Sequence, residues 1–178
     1  MSRLQEPSAV RLFMGLIYKP DSSIADLIEM LEEKLGAINF VSEGSPFNHS
    51  SYYEKEMGEG LIRKILTFEK LIRRTEIIQI KTFTNNMEKV FSYEGNRTIN
   101  IDPGYIAQEH LILATGKGYS HRPYLGSGVY AELTLIYVND EYRTLGWTYP
   151  DYGSEEMRVL FKDLRNQYVS QLKKESNI

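Results

Sequence analysis

The chain of 178 residues contains no cysteine, so disulfides, zinc–thiolate sites and thiol nucleophiles are excluded together. It also lacks long apolar runs, because the longest, residues 12–18 and 111–114, are far too short to cross a bilayer. No apolar segment follows the polar N-terminus. We therefore expect a cytoplasmic protein with no membrane partner.

A basic excess is absent as well, since 21 Lys and Arg residues stand against 24 Asp and Glu residues, which gives a net charge of -3. Proteins that bind phosphate backbones by bulk charge are usually basic, so a nucleic-acid partner is not expected. The hydrophobic fraction of 42% supports one sizeable core, and no linker or repeat divides the chain. We predict a single domain over residues 1–178, and nothing in the sequence fixes its oligomeric state.

Hydrophobic patterns predict a β-α-β-β-α-β order for the N-terminal half. Residues 9–18 are almost all apolar, which is typical of a central strand buried on both faces. Apolar residues at three- and four-residue spacing predict a helix that Asp21 or Ser22 caps and Gly36 ends. The remaining elements are expected to be strands over 37–42, 61–71 and 97–101 and a helix over 75–91, although the β-branched residues 76–81 also fit a strand.

The second half of the chain extends this unit. Residues 105–115 contain the apolar run 111–114 and fit either a strand or a helix. Residues 129–138 and 141–147 predict a hairpin, while residues 153–174 begin with a capping signal and continue as an amphipathic helix. The expected fold class is α+β, with a ferredoxin-like half, a C-terminal β-hairpin and a terminal helix around one mixed or mostly antiparallel sheet.

Two segments have the composition of a functional site. The loop 44–60 keeps three aromatic residues and His49 among turn-forming residues, and loops with bulky aromatics usually cover or contact something. The segment 98–152 holds eight of the thirteen tyrosines, the single tryptophan and two of the three histidines. We expect these two segments to form one pocket.

Six motifs follow one another along the chain: LFMGL at 12–16, DPGY at 102–105, LAT at 113–115, HRPYLG at 121–126, YAE at 130–132 and WTYPDY at 147–152. In this combination the chain resembles a prokaryotic family of uncharacterised proteins that carry a domain of unknown function. The resemblance covers nearly the whole chain. It implies no established activity, although some members carry a GTP-binding label.

A P-loop would support that label, but the motif is incomplete here. It requires a glycine, four residues and then Gly-Lys-Ser/Thr, and both the first glycine and the hydroxyl are missing around Gly116-Lys117. The glycines can still expose backbone N–H groups to an anion, with Lys117 and Arg122 adding positive charge. Arg122 could instead pair with Glu132 or Asp151 and lock the loop.

Hydrolysis of a phosphoester is a further hypothesis. The two-histidine phosphoesterases use paired His-x-Ser/Thr motifs, in which one imidazole is the base and the other the acid. His49-Ser50-Ser51 matches this motif. The second motif is not found, because isoleucine stands at the required position after His110 and proline after His121.

A divalent metal site is another hypothesis. Nitrogen and oxygen ligands could come from His49, Asp102, His121, Glu132 and Asp151, although no close spacing brings them together without the fold. Each carboxylate also has a structural role open to it. Asp102 can open a turn, Glu132 can face solvent on a strand, and Asp151 can cap the last helix.

The sequence therefore predicts a pocket for a small anionic ligand, phosphate- or nucleotide-like, between the loop 44–60 and the segment 98–152. If the protein is an enzyme, for example a hydrolase, proton transfer or metal binding would fall to His49, Asp102, His121 and Glu132. The expected ligand-binding residues are Lys117, Arg122, Tyr105, Tyr124, Tyr149 and Asp151, although Tyr149 could simply pack its turn. The alternative is a non-catalytic interaction module that uses the tyrosine-rich face of 98–152.

Overall fold

The computed structural model describes residues 3–20, 22, 24–48 and 52–176. The elements follow in the order β1 (Val10–Tyr18), α1 (Ala25–Leu35), β2 (Ile38–Val41), β3 (Ser45–Pro46), α2 (Glu54–Met57), β4 (Ile62–Ile72), α3 (Ile77–Val90), β5 (Ser92–Tyr93), β6 (Asn96–Arg97), β7 (Ile99–Ile106), β8 (His110–Thr115), β9 (Tyr124–Gly126), β10 (Val129–Val138), β11 (Glu141–Thr144) and α4 (Glu155–Ser176).

One large antiparallel sheet organises these elements, with the strand order β11-β10-β8-β7-β1-β4-β2. The short strands β3 and β9 pair with β4 and β10, while β5 and β6 form a small separate ribbon. This arrangement confirms an α+β fold in which a hairpin and a terminal helix extend a mostly antiparallel sheet. The ferredoxin-like interpretation of the first half stays a prediction.

Helices cover both faces of the sheet. All nine residues of β1 are buried, as expected for a central strand. Because side chains alternate along a strand, Leu12, Met14 and Leu16 join the core beneath α1 and α3, whereas Phe13 packs against Phe161 of α4 at 5.0 Å between ring centroids. None of the helices within the described ranges combines the length and apolar character needed to cross a membrane.

Several element boundaries differ from the sequence-based prediction. The ambiguous segment 75–91 is helical, because its apolar residues Ile77, Ile80 and Met87 pack into the core as one helical stripe. The other ambiguous segment, 105–115, is extended and divides into the end of β7 and the whole of β8. The second hairpin strand ends early, at Thr144. The loop 44–60 contains β3 and the single helical turn α2.

The helix starts also differ in detail. α4 begins at Glu155, and the Ser154 hydroxyl caps it by accepting a hydrogen bond from the N–H of Met157 at 3.2 Å. α1 begins at Ala25 with Ile24 in the cap position and no side-chain cap. The predicted cap residue Asp21 lies outside the described residues, and Ser22 precedes the cap position.

The sheet opens between β7 and β8, and Pro103 explains why. The two strands pair only over residues 104–106 and 111–113. Ile101 directs its N–H and C=O away from β1, toward the space where β8 would continue. Backbone groups alternate in direction along a strand, so Pro103 faces the same side and has no N–H to donate. The two strands therefore diverge on the N-terminal side of Gly104 in β7 and after residue 113 in β8.

Candidate functional site

A cavity of about 760 Å³ occupies the place where the sheet opens. Both segments that the sequence singled out line it, together with a wall from α3. Its lining consists of Phe47, Tyr52 and Tyr53 from the loop 44–60, Arg63 of β4, Lys81, Asn85, Glu88, Lys89 and Ser92 on or just after α3, and Arg97, Asn100, Asp102, residues 113–117, Glu132 and residues 149–152.

A buried arginine lies at the floor of this cavity. Arg63 is only 5% exposed and forms an ion pair with Asp151, while its Nη1 lies 3.7 Å from Asp102 Oδ2. The rings of Phe47 and Tyr152 enclose the guanidinium, each with its centroid 5.1 Å from Cζ. The carboxylates compensate the cost of burying the charge, and the rings hold the guanidinium in place.

A glycine makes room for this arrangement. Gly15 lies between Ile65 and Asp102 in the sheet register, directly beneath the arginine. A Cβ atom on Gly15 would come within 2.5 Å of the Tyr152 hydroxyl and 2.8 Å of Arg63 Nη1. Since real Cβ atoms do not approach other atoms so closely, any larger residue would displace the floor of the cavity.

A second arginine connects the loop 44–60 to β7. Arg97 binds both carboxylate oxygens of Glu56, with Nε at 2.8 Å and Nη2 at 2.7 Å. These hydrogen bonds lower the pKa of Glu56 and are of the bidentate, charge-assisted kind. Arg97 Nη1 also donates to Asn100 Oδ1 at 2.8 Å, and Asn100 Nδ2 donates to Asp102 Oδ2 at 2.9 Å.

The wall from α3 supplies partners for the backbone that β8 leaves unpaired. Glu88 Oε1 accepts the N–H of Ile101 at 2.7 Å, and Lys81 Nζ donates to the Ile101 carbonyl at 3.3 Å. Burial raises the pKa of Glu88, and the Ile101 N–H, Lys81 and Arg97 partly offset the increase. Lys81 and Glu88 therefore make the hydrogen bonds to Ile101 that a neighbouring strand would otherwise make.

Two lysines lie at the exposed rim. Lys117 donates to the Tyr52 hydroxyl at 3.1 Å, and its Nζ lies 4.3 Å from the centroid of that ring. Lys89 projects from the exposed side of α3. Over the described ranges of the chain, no carboxylate lies within 4.0 Å of either ammonium group.

Glu132 is the most deeply buried carboxylate of the cavity, at 2% exposure. Its Oε2 lies 2.8 Å from Arg122 Nη2, and its Oε1 lies 3.7 Å from His121 Nε2. Burial raises the pKa of Glu132, against the opposing effects of Arg122 and His121. Arg122 also donates to the Tyr149 hydroxyl at 2.9 Å. The structure thus shows the loop-locking pair of Arg122 with Glu132.

The predicted site residues divide into four groups, of which the last consists of Tyr105 and Tyr124. Asp102, Glu132, Lys117, Tyr149 and Asp151 line the cavity. His121 and Arg122 contact Glu132 but do not line the cavity themselves, and the His121 ring stacks on Trp147 at 4.8 Å. His49 lies outside the described residues.

The structure places the other two predicted ligand-binding residues, Tyr105 and Tyr124, outside the cavity lining. Tyr105 alternates onto the core face of β7, where its ring packs beside His110 at 6.1 Å between centroids. Tyr124 is 62% exposed in β9, and its ring contacts Tyr130 at 5.1 Å. Neither side chain lines the cavity.

Those proposed metal ligands that the structure describes, which are all of them except His49, form no metal site. Within residues 3–20, 22, 24–48 and 52–176, no three histidine, aspartate or glutamate side chains come together as a metal site would require. Asp102 and Asp151 contact Arg63 instead, and Glu132 contacts Arg122.

Sequence reasoning missed several polar residues of the cavity. Arg63 lies in a strand with mixed polarity, and its partner Asp151 is 88 residues away, so no local pattern reveals it. The wall of α3 left a detectable signal. Lys81, Asn85, Glu88 and Lys89 recur at the four- and three-residue spacing of one helix face, next to the apolar stripe.

A family model matches residues 8–168 and is described as Domain of unknown function (DUF4416). The chain belongs to this family. Membership in DUF4416 confirms the resemblance to a family that carries a domain of unknown function. No curated protein and no solved structure matches the chain.

Proposed function

We propose that this DUF4416 protein binds a small anionic ligand, phosphate- or nucleotide-like, in the cavity beside β7. The observation that carries the proposal is the pair of rim lysines, Lys89 and Lys117, whose ammonium groups face no described carboxylate at ion-pair distance. The cavity volume of about 760 Å³ suits such a ligand, because small-molecule sites occupy about 300–1,000 Å³.

The carboxylates of the cavity do not oppose an anion as strongly as their number suggests. Asp151 pairs with Arg63, and Glu132 pairs with Arg122. Glu88 accepts the Ile101 N–H and lies 3.4 Å from Arg97 Nη1. Their charges are therefore largely compensated by neighbouring groups, whereas no carboxylate among the described residues pairs with the rim lysines.

The aromatic lining supports a ligand with a planar or sugar-like part. Tyr52, Tyr53 and Tyr149 line the cavity, and Tyr53 packs edge-on against Phe47 at 5.8 Å between centroids. Aromatic rings can stack on a nucleobase or cover the apolar face of a sugar. A nucleotide-like ligand would thus contact both kinds of lining residue.

Hydrolysis stays a hypothesis within this proposal. Of the four residues predicted to act in catalysis, Asp102 and Glu132 line the cavity. Because Arg122 holds one oxygen of Glu132 at 2.8 Å, Asp102 is the better placed carboxylate for proton transfer.

Isothermal titration with inorganic phosphate, pyrophosphate and nucleotides tests the proposal. Replacing both rim lysines, as Lys89→Ala with Lys117→Ala, should weaken phosphate-dependent binding at least tenfold, since each charge-assisted hydrogen bond contributes about 1.5–3 kcal/mol. The matched control replaces two other exposed lysines, Lys34→Ala with Lys70→Ala, and should bind as wild type does. If the two double variants bound phosphate-containing ligands with equal affinity, Lys89 and Lys117 would not belong to the binding site, and the proposal would be wrong.

The second candidate function is a non-catalytic interaction module, which two exposed tyrosines favour. Tyr119 is 70% exposed and Tyr124 is 62% exposed on the 98–152 face. Exposed tyrosines often anchor protein interfaces. A variant with Tyr119→Ser and Tyr124→Ser would lose partners recovered by in-cell cross-linking if this function holds, and it would keep full ligand binding if the cavity is the site.

A further inference from the structure

The polar groups of the cavity are separated by depth. Lys89 and Lys117, which form no ion pair with a described carboxylate, are exposed at the rim. Asp102 lies on the sheet floor, in register with Gly15, and its side chain is 26% exposed. A ligand that fills the cavity therefore meets the two lysines at its outer end and Asp102 at its inner end, where the charge of the neighbouring Arg63 is already paired with Asp151.

One carboxylate oxygen of Asp102 is available to accept a hydrogen bond from a ligand. Its Oδ2 accepts from Asn100 Nδ2 at 2.9 Å and lies 3.7 Å from Arg63 Nη1. Its Oδ1 has no hydrogen-bond partner among the residues the structure describes. Arg63 makes its closer contact with Asp151. It therefore helps to hold the Asp102 carboxylate in place but leaves Oδ1 available. The free oxygen is thus held in one orientation before any ligand arrives.

A carboxylate accepts hydrogen bonds and cannot donate them. The group opposite Asp102 must therefore carry donors, and a second phosphate there would be repelled. Sugar hydroxyls meet this requirement, and carboxylates bind ribose hydroxyls in dinucleotide sites of an unrelated fold. Lysine ammonium groups, in turn, bind phosphate as point charges.

We infer, on the basis of the proposed function, that the ligand is a phosphate ester of a sugar, free or as part of a nucleotide. Its phosphate lies at Lys89 and Lys117, and its hydroxyls donate to Asp102. Tyr53 and Tyr149 also line the cavity, and their rings are available to cover the faces of the sugar. Asp102 thereby selects hydroxylated ligands over other phosphate esters.

Two probes of equal charge test this selection by isothermal titration. Ribose 5-phosphate carries ring hydroxyls, whereas cyclopentylmethyl phosphate has a five-membered ring of similar size and none. Wild type should bind ribose 5-phosphate at least tenfold more tightly, as expected for a hydrogen bond to a charged group. In Asp102→Ala this ratio should fall to near one while both probes still bind.

Two further variants make the result specific to Asp102. Asp102→Asn keeps one acceptor oxygen and should give an intermediate ratio, and it carries the test if the alanine variant does not fold. Asp163→Ala removes an exposed carboxylate of α4 and should leave the ratio unchanged.

The outcomes separate this inference from the proposed function. Equal binding of both probes by wild type, or an unchanged ratio in the Asp102 variants, would overturn the sugar assignment alone. Binding of inorganic phosphate that depends on the lysines, without binding of ribose 5-phosphate, would do the same. If neither phosphate nor any phosphate ester binds through Lys89 and Lys117, the proposed function itself is wrong.

Discussion

At the scale of single residues, the DPGY motif assigns a separate physical role to each position. Asp102 contributes a carboxylate to the cavity, and Pro103 removes the N–H that β8 would need. Gly104 lets the neighbouring strand β8 approach β7 closely, because it has no Cβ atom. Tyr105 closes the core on the opposite face. The motif therefore separates β7 from β8 and places the carboxylate of Asp102 at the resulting opening.

Replacing Gly104 with alanine should destabilise the protein by about 1–3 kcal/mol, the usual cost of overpacking. A Cβ there would lie 2.4 Å from the Ile112 carbonyl oxygen and 2.5 Å from the Phe13 ring, and the backbone of β8 cannot move aside cheaply. Chemical denaturation would measure the loss. The matched control is Gly146→Ala, because a Cβ at Gly146 meets nothing within 4 Å. Its stability should stay within about 1 kcal/mol of wild type, and equal losses in both variants would refute the steric argument.

At the scale of secondary-structure elements, the cavity depends on a helix that takes the place of a strand. β8 leaves β7 after residue 113, opposite Gly104, and α3 then satisfies the exposed backbone of Ile101 through Lys81 and Glu88. A buried N–H without an acceptor is costly, so the opening is stable only while α3 lies against it. The element that closes the core thus also forms one wall of the candidate site.

Glu88→Ala should therefore cost about 1–3 kcal/mol of folding free energy, because it leaves the Ile101 N–H buried and unsatisfied. Glu88→Gln keeps an oxygen at the same place and should lose less. Amide hydrogen exchange at Ile101 gives a local readout, with faster exchange in the alanine variant than in the glutamine variant. Identical exchange rates in the two variants would show that Glu88 does not protect this amide.

The elements also show how far sequence reasoning reaches. The nearly continuous apolar run of β1 and the helical periodicity of α4 depend on local sequence alone, and both elements are predicted correctly. The β-branched residues of α3 fitted two periodicities, and only packing against the sheet decides between them. Residue composition led us to expect one pocket between the loop 44–60 and the segment 98–152, and both segments line the cavity. The partners within it, such as Arg63 with Asp151 and Arg122 with Glu132, are set by the three-dimensional fold and leave no local pattern.

At the scale of the whole molecule, Arg63 joins parts of the chain that the sequence keeps far apart. It comes from β4 in the first half, pairs with Asp151 just before α4, and is covered by Phe47 of the loop 44–60. A buried charge is stable only when its partner and its cover are both in place. The single domain that the sequence predicts should therefore unfold together with this contact.

Arg63→Met should cost about 3–5 kcal/mol, since it leaves the carboxylate of Asp151 buried without its partner. The double variant Arg63→Met with Asp151→Asn should lose less than the sum of the single variants, with a coupling energy of about 0.5–3 kcal/mol. The same cycle with Asp102→Asn should give a smaller coupling, because that pair is 3.7 Å apart. Denaturant unfolding followed by both fluorescence and circular dichroism measures each energy. If the two probes gave separate transitions in Arg63→Met, the contact would join two units that fold independently. Coincident transitions shifted to lower denaturant would mean that one cooperative core depends on the floor of the cavity, so that any ligand bound there stabilises the whole chain.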